Sequence, residues 1–342
     1  MKNEVVPQDL QYITSSSLPW SNLRGMSVLV TGATGMIPGY IVRTLLFLDE
    51  EIKIYALVRN REKALLQYGN YIEKKRVNLI VQDASDPLTI DEQFNYIIHG
   101  ASLASPIHFN TNPVGTILPN VFGTYHLLKH AQKNKSQCFL FISSPDVYGD
   151  TSNVDCILED NYGYINPLAL SSCYGESKRM GEALCAAWHN QYNIPVKIVR
   201  PFHVYGPGLN LDDGRVFSDF VTNVLNKENI LIKGKGIEYR TFCYLADAVL
   251  AIFVVLFLGI AGQAYNIGND KCEIQIKELA QLLVKLFPQH ELSVTFDKQR
   301  NSSNLRSRNK RGFPDTTKIK ELGWLPQHSL EEGFKRTIKS FS

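Results

Sequence analysis

The sequence predicts an α/β fold: a doubly wound parallel sheet with a smaller mixed lobe toward the C-terminus. Three observations point there. Short apolar, strand-length runs alternate with helix-length segments, the signature of parallel βαβ units. A glycine-bearing turn follows the first of those strands directly. The alternation then loosens after Pro201, where loop-like stretches are interspersed with apolar helices.

The elements follow in order. After a polar leader, Ser27–Thr31 reads as a short buried strand, the turn spans residues 32–39, and an apolar helix covers 41–48. A strand over 52–58 leads into a charged helical segment with Arg61, Glu62 and Lys63. Strands are expected at Val77–Val81, 96–98 and 139–142, with a helical stretch over 113–132 before the last of them. A long helix over 172–192 precedes a strand at 196–199. Beyond it, 206–214 and 234–236 are loops, and the apolar run 248–261 is a buried helix, too short to span a bilayer at roughly 20 residues. The organisation expected is an N-terminal extension (1–24), a dinucleotide-binding domain (25–200) and a substrate lobe (201–342) with a strand that can return to the sheet.

Composition excludes several classes. The chain has 342 residues, 44% hydrophobic and 20% charged, with a net charge of +3, values ordinary for a globular protein. No basic motif suits nucleic acid, and the run Arg300–Arg311 reads as a solvated loop. The first residues carry acids and no apolar core, so no export signal is read there. The six cysteines form no C-x-x-C pair. Free thiols in a reducing cytoplasm, with no metal site, are the expectation.

Thr31-Gly32-Ala33-Thr34-Gly35-Met36-Ile37-Pro38-Gly39 lies between strand and helix, where glycines let backbone amides approach a pyrophosphate at a helix N-terminus. This is the Rossmann-type placement, with Gly32, Thr34, Gly35, Met36 and Ile37 as cofactor contacts. The third glycine of T-G-x-x-G-x-x-G is Pro38 here, tolerated in a first helical turn. It alters helix–strand packing more than phosphate approach. The second strand ends in Arg59, suited to the 2′-phosphate of NADP, which favours NADP with NAD the alternative. Asp83, ending the third strand, is a candidate at the adenine end.

Tyr174-Gly175-Glu176-Ser177-Lys178 opens a helix, and the spacing of four puts Tyr174 and Lys178 on one face. A tyrosine is a poor base at neutral pH, and an ammonium beside it favours the phenolate. The pair can then exchange a proton with a substrate hydroxyl. Ser144, at an upstream strand end, is placed to hydrogen-bond the same hydroxyl.

This combination resembles the extended short-chain dehydrogenases/reductases of the NAD-dependent epimerase/dehydratase family, over residues 27–338. Its nearest likeness is to the UDP-glucuronate decarboxylases. His99-Gly100-Ala101-Ser102-Leu103-Ala104-Ser105-Pro106 is similar to their H-L-A-S-P-A-S-P. Cys173-Tyr174, with Glu176, Lys178 and Arg179, resembles C-Y-D-E-G-K-R, and Asp213-Gly214-Arg215-Val216 resembles the start of D-G-R-V-V-S-N-F. The resemblance implies a tightly bound, recycled NAD or NADP and a UDP-linked sugar oxidised at C4. It implies a homodimer joined through a helix pair, with no nucleic-acid or membrane partner. It also places Ala84, Ala101 and Ser102 at the cofactor and Ser105 at the substrate. Arg215 and Arg240 suit a diphosphate, and Phe217 either lines the base pocket or packs in the core.

One segment departs. Decarboxylases resemble T-S-E-V-Y-G and 4,6-dehydratases T-D-E-V-Y-G, whereas this chain reads Ser144-Pro145-Asp146-Val147-Tyr148-Gly149. Pro145 supplies neither hydroxyl nor acid, and Asp146 keeps a carboxylate one methylene shorter. Decarboxylation is the first expectation and 4-epimerisation the second, followed by dehydration and keto-sugar reduction. A non-catalytic dinucleotide sensor is the alternative outside enzymes.

Overall fold

The computed structural model describes residues 4–48, 51–297 and 312–341; the basic run 300–311 lies outside them. Seven strands form one parallel sheet: β1 (Ser27–Thr31), β2 (Lys53–Val58), β3 (Val77–Val81), β4 (Tyr96–His99), β5 (Cys138–Ile142), β6 (Val196–Pro201) and β7 (Gln263–Ile267). Their order is β3-β2-β1-β4-β5-β6-β7. The order reverses between β1 and β4, which opens a crevice at the carboxyl ends of those strands. Helices cover both faces, so β1 and β5 are buried at every position and read as unbroken apolar runs.

The helices are α1 (Val5–Thr14), α2 (Met36–Phe47), α3 (Arg61–Glu73), α4 (Pro106–Thr111), α5 (Pro113–Leu118), α6 (Thr124–Asn134) and α7 (Cys173–Tyr192). They continue as α8 (Val216–Asn226), α9 (Leu245–Leu258), α10 (Ile276–Leu286), α11 (Thr317–Lys320) and α12 (Leu330–Lys339). Expected strands fall within two residues of those observed. The first helix starts five residues earlier than expected, because Gly35 in extended conformation caps it and Pro38 fits inside its first turn. The stretch 113–132 is two helices joined by a π-helical turn, Pro119–Gly123.

The expected buried helix at 248–261 runs instead from Leu245 to Leu258. It is buried from Leu245 through Leu256, including Asp247. Gly259 in extended conformation ends it. Among the described residues, no helix is long and apolar enough to cross a membrane. All six cysteines are free thiols.

Both ends of the chain are packed into this body. The carboxylate of Asp9, fully buried on α1, accepts hydrogen bonds from Tyr40 on α2 (2.7 Å), Tyr244 (2.7 Å) and Arg336 on α12 (2.5 Å). Asp247 accepts from Tyr12 (2.9 Å) and from the backbone of His328 (3.0 Å). The late strand β7 pairs in parallel with β6 at the sheet edge, and one core runs through both halves of the chain.

Candidate active site

The crevice begins at Thr31. Its hydroxyl accepts from the backbone N–H of Gly100 (3.2 Å) and Ala101 (3.1 Å), joining the ends of β1 and β4. Gly32 sits at φ +68°, and a Cβ there would lie 2.7 Å from the Ala101 Cα. The glycine is required for both reasons. Pro38 packs against Gly100, whose Cβ would stand 2.6 Å from the proline ring. Gly39 makes the close contact of the helix with the turn, since a Cβ there would lie 3.0 Å from the Ala33 carbonyl oxygen. The altered glycine pattern therefore changes packing behind the loop and leaves the turn itself open.

A groove of about 280 Å³ runs from this turn, lined by Gly32, Thr34, Gly35, Arg59, Lys63, Asp83, Ala84, Ala101 and Ser102. Its shape and its position at a helix N-terminus fit the adenosine and pyrophosphate of a dinucleotide. Arg59 is exposed and lies 3.9 Å from the Asp83 carboxylate. Two bonds from Ser85 hold that carboxylate below its usual range, against the effect of burial. Met36 and Ile37 line the adjoining cleft. The hydroxyls of Ser102 and Ser143 are buried without a partner at the cleft wall. Unpaired buried hydroxyls are costly, and a bound cofactor amide and ribose are groups that would satisfy them.

The second cleft, about 610 Å³, continues from Gly35 and is lined by Ser144, Asp146, Tyr174 and Lys178. Tyr174 and Lys178 lie one turn apart on α7, both buried. Gly175 lets α7 approach the strand-end turn closely, since a Cβ there would be 2.9 Å from the Asp146 carbonyl. The Ser144 hydroxyl bonds Tyr174 and donates to the Asp146 carboxylate at 3.2 Å. Burial, reinforced by the Asp146 charge, pushes the Tyr174 hydroxyl well up; the Ser144 bond and the Arg215 guanidinium oppose this.

Lys178 donates to the Ile142 carbonyl at 2.7 Å and lies 4.8 Å over the Phe141 ring. Burial pushes its ammonium down to about 7, with Glu182 pulling the other way. The Arg215 charge thus opposes the rise at Tyr174, and the Lys178 ammonium stands 5.8 Å from the Tyr174 ring centre. Phe109 stacks on Tyr174, ring centres 5.0 Å apart.

Arg215 is ion-paired with buried Asp213 and sits 5.1 Å over the Phe217 ring. Phe217, only 2% exposed, packs edge-on against Phe242 and borders the cleft. Arg240 lines the same wall, braced on the Tyr239 carbonyl at 2.7 Å. Ser105 is placed differently. It is absent from the lining, and its hydroxyl donates to the Asp213 carbonyl at 2.5 Å, steadying the loop that carries Arg215.

A family model, the NAD dependent epimerase/dehydratase family, matches residues 28–268. The chain belongs to that family. It is 34% identical over 318 residues to UDP-glucuronic acid decarboxylase 6 of Arabidopsis thaliana, covering 92% of this chain and 89% of the relative. A UDP-glucuronic acid decarboxylase 1 of Danio rerio is 31% identical, with 92% and 72% covered. UDP-glucuronic acid 4-epimerase of Bacillus cereus, solved with NAD, superposes at a TM-score of 0.75 with 25% identity, covering 92% and 98%. UDP-glucose 4-epimerase of Thermotoga maritima shares the fold, with a TM-score of 0.80 at 24% identity and the same coverage. The chain is an NAD-dependent enzyme of the class that remodels nucleotide-linked sugars.

Within this family frame, the site contains residues that sequence spacing did not mark. Asn120, in the π-helical turn, donates to Ser177 at 2.9 Å and so fixes the turn of α7 that bears Tyr174 and Lys178. π-Helical turns are frequent at functional sites, yet no local pattern announces one. Phe109 and His203 line the cleft from segments far away in sequence.

Proposed function

We propose that this enzyme oxidises the C4 hydroxyl of a UDP-linked sugar, and that its reaction is decarboxylation of UDP-glucuronate. The observation that carries this reading is the joining of Ser144, Tyr174 and Lys178 to the dinucleotide groove on one side and to Arg215 and Arg240 on the other. Tyr174, as phenolate, takes the C4 hydroxyl proton while Ser144 bonds the same oxygen. Lys178, with its proton mobile near pH 7, resupplies and removes that proton. When bound, the nicotinamide accepts the C4 hydride and returns it. The 4-keto sugar acid is a β-keto acid, so carbon dioxide leaves with the electron pair drawn toward the ketone. Asp146 is the group placed to serve reprotonation at C5, and Arg215 with Arg240 takes the diphosphate.

Pro145 favours a second reading. It lines the cleft where decarboxylase-like sequences have a hydroxyl, and 4-epimerisation requires only oxidation, rotation of the ketone and hydride return. Incubation with UDP-glucuronate, UDP-glucose, UDP-galactose and UDP-N-acetylglucosamine, without added cofactor, separates these readings by product mass. Loss of carbon dioxide identifies decarboxylation; unchanged mass with inverted stereochemistry identifies epimerisation. No turnover of any of them overturns the proposal.

Within this NAD-using family, Arg59 and Lys63 at the groove end, with no acid ending β2, favour the 2′-phosphorylated form, NADP, over NAD. Analysis of the dinucleotide released from the purified protein checks it. A homodimer is proposed through α5–α7, where Val114, Phe122, Tyr125 and Met180 are exposed on adjoining helices. Sedimentation of wild type against Met180→Glu tests that face. Six free thiols suit a cytoplasmic enzyme.

A further inference from the structure

Arg200, on β6 just before the cleft-lining Pro201, takes no part in the reaction above. It is only 1% exposed, yet all five of its N–H donors are used. Nε and Nη2 take the two carboxylate oxygens of Glu182 at 2.9 and 2.6 Å. Nη1 donates to the Tyr148 hydroxyl (2.8 Å) and the Glu159 carbonyl (2.6 Å), and Nη2 also to the Tyr162 hydroxyl (3.0 Å). An ion pair buried for stability is the plain alternative. Such a pair contributes little net stability, because desolvation offsets the attraction, and apolar residues of like volume would pack as well. What they would lack is direction. A planar guanidinium holds its acceptors at set angles, which neither an apolar side chain nor a lysine does.

The acceptors belong to the two elements whose spacing the chemistry depends on. Glu182 continues the stripe of α7 that carries Tyr174 and Lys178, at intervals of four residues. Tyr148 ends the single turn Pro145–Tyr148, which holds Asp146 and is capped by Ser144. Its hydroxyl donates in turn to Asn266 on β7 at 2.5 Å, so the end of that turn is anchored to the sheet. Arg179 adds a second tie between helix and turn, donating to the Val147 carbonyl at 2.6 Å. One guanidinium thus joins the helix that bears the Tyr174 hydroxyl to the turn that bears its partner, Ser144. In a network of this kind each bond steadies the others.

We propose that Arg200 is a positioning residue for proton transfer: its guanidinium clamps Glu182 of α7 to Tyr148 of the strand-end turn, and so sets the spacing of the Tyr174 and Ser144 hydroxyls. The proposal rests on the reading that these two hydroxyls bond the C4 oxygen of a UDP-linked sugar. A misplacement of about 1 Å in such a pair costs on the order of a hundredfold in rate.

The test is a double-mutant cycle on steady-state turnover with Arg200→Lys, which keeps the charge and loses the fork, and Ser144→Ala. The substrate is whichever UDP-sugar the wild type turns over among UDP-glucuronate, UDP-glucose, UDP-galactose and UDP-N-acetylglucosamine. Melting curves and titration with UDP check that each protein is folded and still binds nucleotide. Arg200→Lys should lower kcat about 10–100-fold while KM and UDP affinity stay within about twofold of wild type. In the Ser144→Ala background the same substitution should cost less than about threefold, because the partner it aligns is gone. Losses that simply multiply in the double variant would show that Arg200 only supports the fold, and they overturn the proposal. An unchanged kcat in Arg200→Lys does the same. Where Arg200→Lys does not fold, Tyr148→Phe decides. It keeps the ring 4.8 Å from the guanidinium and loses the hydroxyl between Arg200 and Asn266. Its kcat should fall about two- to tenfold, the worth of one hydrogen bond, with little further loss in Ser144→Ala; no fall overturns the proposal. Wild type that turns over none of the four sugars overturns the proton-transfer reading, and this proposal with it.

Discussion

At Tyr174 and Lys178 the protein accepts a cost in stability to place two titratable groups in a buried site. Tyr174→Phe keeps the ring stack on Phe109 and loses the hydroxyl that Ser144 bonds. Turnover should fall by about 10²–10⁴-fold, the usual worth of a positioned acid–base group, with UDP binding unchanged. Lys178 carries a folded-state pKa of about 7 against 10.5 unfolded. Between those values the unfolded chain binds more protons, so this group makes stability rise with pH across that window. Below about pH 7 its penalty is present in full. Lys178→Met should therefore abolish turnover and raise stability by about 1–3 kcal/mol at pH 6, the cost of a buried polar group relieved. Urea unfolding at pH 6 and 9 checks it, with the gain smaller at pH 9. A loss of stability in the variant would show that the Ile142 bond outweighs the cost of burial.

At the level of elements, what could be read from the sequence was what is local. Ser27–Thr31, the glycine turn and the four-residue spacing of Tyr174 and Lys178 are written in consecutive residues, and each stands where its pattern places it. The π-helical turn that aims Asn120 at Ser177 depends on packing against α7, so no periodicity of its own encodes it. Ser105 was placed at the substrate by motif, but its hydroxyl is held by a loop 108 residues away. The β1–α2 turn yields an element-scale prediction. Gly32→Ala combines a φ of +68° with a 2.7 Å approach to Ala101. It should weaken dinucleotide binding by about 1–3 kcal/mol, roughly five- to 150-fold. Gly208→Ala is the control: it has φ +82° with nothing within 4 Å, and it lies outside both clefts. Fluorescence titration with NAD and NADP should show the loss in the first variant only.

Across the whole molecule, the N-terminal segment ties distant parts together. Residues 1–24 read as a polar extension that includes Asp9. The fold instead buries it, because α1 lies across α2 and α9 and brings Asp9 between Tyr40, Tyr244 and Arg336. Those partners belong to the helix that starts at the cofactor turn, the segment just after Arg240, and the last helix. One carboxylate thus joins the cofactor side, the substrate wall and the C-terminus. Asp9→Ala would leave Arg336 and two buried phenols without their acceptor. Breaking one partner of such a buried pair costs about 3–5 kcal/mol. Asp9→Asn keeps an acceptor oxygen and should cost less. Denaturant unfolding should rank wild type above Asp9→Asn and Asp9→Ala last, in a single transition if the halves are one cooperative unit. Equal stability of Asp9→Ala and wild type would mean that α1 is only docked on the enzyme and does not hold it together.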